Sequence, residues 1–271
     1  MDKILSILQP IADPIGLKIK SVTRALGDWF LFVYEAVVWI PRKPYRLQNL
    51  FRHMEFIGVK STPIILLTGV FVGAVFALQT SKAFALFNAD SLVGATIGLS
   101  LTREIGPVFT ALMVTARACS SMAAEIGTMR VTEQIDALET MAVNPIHYLV
   151  SPRVVSATIM TPLLTVMFDL ISVIGAWFVA VHLLQISEGA FLDKLYYYVD
   201  MEDFIGGLIK AGVFGFLIST ISSYQGYVAK LGAKGVGWAT TKAVVISSVT
   251  VLVIDYFLTT WILELFGKVV V

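Results

Sequence analysis

Arg103 and Glu104 stand side by side inside a long apolar run, and Lys210, Asp255 and Asp169 each interrupt another such run. Charges set in that much hydrocarbon are costly. Side chains placed there face a bundle interior or a water-filled cavity, where they pair with one another, relay protons or meet the polar part of a solute. Arg103, Glu104, Lys210 and Asp255 sum to zero, so together they offset one another's desolvation as a polar cluster. The other reading of the same residues is a fixed network that only braces helices. Pro107 cannot donate an N–H to the carbonyl of Arg103, which frees that oxygen and bends the helix there.

A second kind of chemistry follows on the same segment. Val131-Thr132-Glu133-Gln134-Ile135-Asp136-Ala137-Leu138-Glu139-Thr140-Met141 places Ile135, Leu138 and Met141 or Ala142 on one stripe and carboxylates on the other side. Glu133 and Asp136 suit the positive end of a helix dipole, and Pro145 stops the helix. A helix this short is marginal alone, so it packs either on its own membrane domain or in a groove on a partner.

The elements that must hold these residues are membrane spans. Hydrophobic residues are 57% of the chain and charged ones 14%, with a mean hydropathy of +0.81, which marks an all-α integral membrane protein. Five spans are expected, at about 56–78, 92–120, 154–184, 204–228 and 241–266. Gly69 and Gly73, four apart in the first, let another helix approach closely. Residues 1–55 form an N-terminal interfacial region of amphipathic helices, since Lys18, Lys20, Arg24, Arg42, Lys43 and Arg46 accompany apolar faces. Asp2, Asp13 and Asp28 disfavour a signal peptide. Residues 56–271 form the five-span domain, with the docking segment at about 131–142. The acidic, aromatic link from Ser187 to Asp203 reads as an amphipathic element at a membrane face.

Basic residues gather in the N-terminal region, at Arg130 and Arg153, and at Lys230, Lys234 and Lys242. The N-terminus and the docking segment are therefore expected in the cytoplasm and the C-terminus outside. Counted at 1.5 Å per residue from the outer end, Arg103 and Glu104 lie roughly 17 Å deep, Asp255 roughly 16 Å and Lys210 roughly 9 Å. Asp169 falls near the middle of its span, and Arg117 falls close enough to the cytoplasmic end to snorkel.

With 20 Lys+Arg against 19 Asp+Glu, net charge gives no reason to expect nucleic acid. No nucleotide-binding loop, H-E-x-x-H motif or Cys/His cluster is present, so no catalytic residue, metal site or bound cofactor is expected. His53, His147 and His182 lie on separate segments and read as interfacial. Cys119, among small residues, reads as a packed, inert thiol.

The run REIGPVFTALMVTARACSSMAAEIGTMRVTEQIDALETMAVNP, followed by YLVSPRVVSATIMTPLLTVMFDL, resembles the MlaE/YrbE permease family, the membrane subunit of lipid-transporting ABC systems associated with MCE-domain proteins. The likeness covers nearly the whole chain. It implies a homodimer in the bacterial inner membrane, each copy with an N-terminal interfacial helix, five spans and a cytoplasmic coupling helix. It also implies two ATPase subunits that carry ATP and Mg, a periplasmic MCE ring and, in Gram-negative members, a small STAS-domain protein. The implied activity is phospholipid movement between the inner membrane and the MCE protein, maintaining outer-membrane lipid asymmetry.

Residue by residue, Glu104 matches the family's motif glutamate and Arg103 the basic residue before it. Lys210 in LIKAGVF and Asp255 in VIDYFLT match charged positions that line or brace the lipid cavity, and Asp169 matches a position often acidic. Thr132, Glu133, Gln134, Asp136 and Glu139 match the coupling helix. Thr102 departs from the pattern, since many relatives carry Gly or Leu there. Two rivals remain open on sequence: a structural anchor for an MCE assembly, and an ion- or proton-coupled carrier using Glu104, Asp169 and Asp255.

Overall fold

The computed structural model describes residues 2–44, 46–230 and 232–265. Its described residues are helical throughout their ordered elements, with no strand among them. Five helices are long and apolar enough to cross a membrane.

An N-terminal helix, Asp2–Trp39, runs through Pro10 and Pro14. A separate elbow helix, Leu47–Ile57, then leads to the first span, Thr62–Ala85. Pro63 sits in that span's first turn, where its missing N–H costs nothing. The second span, Asp90–Val131, and the third, Ile146–Leu183, flank the docking helix, Gln134–Thr140. A far-end helix, Glu188–Tyr198, precedes the fourth span, Met201–Tyr227, and Ala233–Leu265 is the fifth.

Several bounds differ from expectation. The third span starts at Ile146, not near Val154, and the fifth at Ala233, not near Thr241, because polar Ser and Thr side chains do not break these helices. Their hydroxyls bond back to carbonyls one turn earlier, as Ser156 does to Pro152 at 2.7 Å and Thr240 to Val236 at 2.9 Å. The expected end of the fifth span at Phe266 lies outside the described residues.

Glycines set the closest crossings. A Cβ on Gly73 would stand 1.9 Å from the Ser172 carbonyl oxygen and one on Gly69 2.5 Å from Ile171 Cγ2. The first span therefore lies backbone against backbone on the third, as the Gly-x-x-x-Gly spacing predicts. Between these spans and the second and fourth lies the central core of Val114, Cys119, Met122, Phe168, Phe214 and Ile218. The docking helix and the N-terminal helix share one end of the bundle, which carries Arg130 and Arg153. The 188–198 helix closes the far end against Val93 and Ile97.

Candidate functional site

The second span changes its winding where its charges sit. Residues Leu101–Ile105 form one π-helical turn, directly before Gly106 and Pro107. Pro107 leaves the Arg103 carbonyl without its usual donor, and the Lys210 ammonium takes that oxygen at 3.0 Å. Gly207, one turn before Lys210, makes the approach possible, since a Cβ there would lie 2.1 Å from the Thr102 oxygen.

Lys210 is 2% exposed. Its ammonium donates to Glu104 Oε2 at 2.7 Å, Thr259 Oγ1 at 2.7 Å and the Arg103 carbonyl, so all three N–H bonds are used. Asp255 Oδ1 stands 3.2 Å away as a charge contact without an aligned hydrogen bond. Thr259 lies one turn beyond Asp255 on the fifth span, where its hydroxyl donates to the Asp255 carbonyl at 2.8 Å and lies 3.2 Å from Glu104. The knot thus joins the second, fourth and fifth spans.

The Arg103 side chain is not part of it. Its guanidinium turns the other way and holds Asp203, with Nη2 at 2.7 Å and Nε at 2.9 Å from Oδ1. The second Asp203 oxygen accepts the N–H of Asp200 at 3.1 Å, which completes a capping box at the head of the fourth span. Consecutive residues of a helix point about 100° apart, so Arg103 and Glu104 cannot both face Lys210.

Asp169 also stands apart. It is buried, and its Oδ1 has no hydrogen-bond partner among the described residues. That oxygen lies 1.8 Å from where a Cβ on Gly106 would be, so from the third span it packs directly against the backbone just after the π-helical turn. Arg117 does more than snorkel. It donates to the Phe56 carbonyl at 2.7 Å and to Ser61 Oγ at 2.8 Å, fastening the corner between the elbow helix and the first span.

Beside the knot, Arg103, Glu104, Asp203, Lys210, Thr259 and Leu263 line a groove of about 30 Å³, room for a water molecule or two. The fifth span next to it exposes Val249, Leu252, Val253, Tyr256 and Phe257. One chain therefore offers charges at the edge of a groove far too small for a lipid.

At the opposite end, the docking helix is shorter than the expected 131–142. Thr132 closes the preceding helix, and Glu133 turns the chain with φ +60°. Ile135 is buried among Phe32, Ala36, Ile126 and Leu149, and Leu138 packs against the same cluster. Glu133, Gln134, Asp136, Glu139 and Met141 are exposed. Of the two packings left open by the sequence, Ile135 and Leu138 take their own domain, whereas Met141 and Ala142, expected on the same stripe, are exposed together with the acidic face. Asp136 pairs with Arg130 at 2.6 Å.

Three participants escaped the sequence reading. Thr259 had a signal, the i, i+4 spacing from Asp255. Asp203 had one in the D-x-x-D pattern at 200–203. Arg153, counted as a loop cation, is buried in the third span and paired with Glu125 Oε2 at 3.0 Å.

The family model described as Permease MlaE matches residues 50–261. A probable ABC transporter permease protein of Rickettsia felis is 46% identical over 263 residues, covering 97% of this chain and all of the relative. An intermembrane phospholipid transport system permease protein of Haemophilus influenzae, MlaE, is 35% identical over 246 residues, 90% of this chain and 94% of that one. A probable ABC transporter permease protein of Synechocystis is 39% identical over 216 residues, 80% of this chain and 82% of its own length.

Proposed function

Because this chain belongs to the MlaE permease family, we propose that it is the membrane subunit of an ABC transporter that moves phospholipid between the bacterial inner membrane and a periplasmic MCE protein. It works as a homodimer. ATP and Mg bind two ATPase subunits and not this chain, and a STAS-domain protein joins them. The transport sustains outer-membrane lipid asymmetry, with the N-terminus cytoplasmic and the C-terminus periplasmic.

The observation that carries this reading is the second span. It runs unbroken from the Glu104–Lys210 knot to Val131, 27 residues and roughly 40 Å, and passes at once into the docking helix. A push received on Glu133, Asp136 and Glu139 is thereby transmitted to the helix that carries Glu104. The groove of about 30 Å³ supports a dimer, since a second copy facing the apolar fifth span would complete a space that one chain lacks. In that space the acyl chains lie against Val, Leu and Phe side chains, and the headgroup passes the polar edge formed by Glu104, Lys210, Asp255 and Thr259. ATP binding in the partner changes the spacing of the spans and squeezes lipid along the path.

The test is reconstitution of the complex in liposomes with alanine at Glu104 and Lys210. Loss of lipid transport and of lipid-stimulated ATP hydrolysis is expected, while the subunits still co-purify. Unchanged transport would sink the assignment. Transport without any ATPase, driven by membrane potential, would point instead to a carrier.

A further inference from the structure

A second cavity lies at the docking-helix end, under the elbow helix. It measures about 530 Å³, and Arg52, His53, Lys60, Glu125, Tyr148 and Arg153 are among its walls. That volume is within the range of ordinary ligand sites, whereas the groove at the charge knot, at about 30 Å³, has room only for something the size of water. Its permanent charges are Arg52, Lys60 and Arg153 against Glu55 and Glu125, three positive and two negative.

The carboxylate nearest the bundle is already engaged. Glu125 pairs with Arg153, whose Nη1 also donates to the Leu149 carbonyl at 2.5 Å. Arg153 Nε is buried and has no acceptor among the described residues. Arg52 and Lys60 are exposed and form no ion pair among the described residues. A donor without an acceptor next to two unpaired cations describes a place for an anion.

The surroundings select which anion. Leu47 and Phe51, one turn apart on the elbow helix, and Val59 just after it are well exposed apolar side chains on the same segment that walls the cavity, outside its lining. A ligand with a charged head and a hydrocarbon body satisfies both surfaces, and basic pockets between helices at a membrane face hold phospholipid headgroups by this chemistry.

We propose that this cavity binds the phosphate-bearing headgroup of an anionic phospholipid from the leaflet around the elbow helix, a site separate from the charge knot. The separation is large, since Glu125 follows Glu104 by 21 residues of one span, roughly 30 Å. Occupancy would fix the elbow helix over the Arg153–Glu125 link between the second and third spans.

The experiment places the full chain in phosphatidylcholine nanodiscs with a titrated fraction of photoactivatable phosphatidylglycerol and maps the labelled peptides. Labelling concentrated on residues 47–60 and 145–153 is expected. The phosphatidylglycerol fraction needed for half-labelling should rise about thirtyfold in Arg52→Gln with Lys60→Gln, the effect of removing two interfacial cations. Excess inorganic phosphate should leave the labelling unchanged. Protection by phosphate, with photoactivatable phosphatidylcholine labelling equally, would assign the cavity to a soluble anion and overturn the lipid. Equal labelling by both lipids that the double variant leaves unchanged would overturn the site altogether. Should the double variant misfold, the comparison of the two lipids on the unaltered chain decides. The readout is binding alone, so it is independent of whether the chain transports lipid.

Discussion

Lys210→Met tests whether the knot is held by charge. The ammonium donates to Glu104, Thr259 and the Arg103 carbonyl at 2.7–3.0 Å and stands 3.2 Å from Asp255 as a charge contact. A methionine of similar length removes the cation and leaves Glu104 and Asp255 facing each other beside the fifth span. Breaking a buried ion pair by deleting one partner costs about 3–5 kcal/mol. The Glu104 side chain is 38% exposed and the Asp255 side chain 19%, which places this case at the low end, about 3 kcal/mol. That cost is a factor of roughly 150 in the opening equilibrium. Cys119 supplies the assay, because it is the chain's one cysteine and fully buried in the central core. Its modification by a thiol reagent in detergent solution reports opening of the bundle, and the rate should rise by about that factor. The decisive comparison is Lys210→Met together with Glu104→Gln and Asp255→Asn. No unpaired charge remains there, so the cost should fall to about 1 kcal/mol or less. Equal labelling rates in the single and triple variants would refute the argument, because a purely steric knot would be damaged as much by either.

Gly73→Ala should be among the most damaging small changes, since its methyl would meet a backbone oxygen at 1.9 Å that cannot move aside; a loss of about 3 kcal/mol would appear in the same thiol assay. Gly106→Ala should also destabilise, and Gly106→Ala with Asp169→Ala should recover part of the loss, because the clash is with the Asp169 carboxylate. Arg103→Ala should cost about 2 kcal/mol by removing the charged hydrogen-bond partner of buried Asp203. Asp136→Lys with Glu133→Lys should change stability by less than about 1 kcal/mol, since the Arg130–Asp136 pair is solvent-exposed, yet it should abolish co-purification of the ATPase while sparing an MCE partner.

The depth count from the sequence put Glu104 and Asp255 at one level and Lys210 roughly 8 Å nearer the outer end, within reach of its long side chain, and the three do meet, because 1.5 Å per residue is nearly invariant in a continuous span. The same count failed for Arg103. Depth fixes height along an axis but not rotation about it, and the π-helical turn at Leu101–Ile105 adds a local rotation that hydropathy does not record. The partner of Arg103 was hidden for a different reason. Asp203 belongs in sequence to an acidic link, and only the capping box carries it into the first turn of the fourth span.

Arg153 shows the same limit at the other end. Read as a loop charge, it supports an orientation; placed about two turns inside a helix that starts at Ile146, it becomes a buried partner of Glu125. Span ends are set by which polar groups the backbone can satisfy internally, and Ser and Thr hydroxyls bonded back to the helix lengthen a span beyond its apolar core. The charges nearest those ends are therefore the ones whose roles composition misassigns. In this chain they include Arg153, Asp203 and Arg117, and each holds two elements together. The deeper trio of Glu104, Lys210 and Asp255 was legible because no shift of a span boundary by a turn could have moved it out of the bundle.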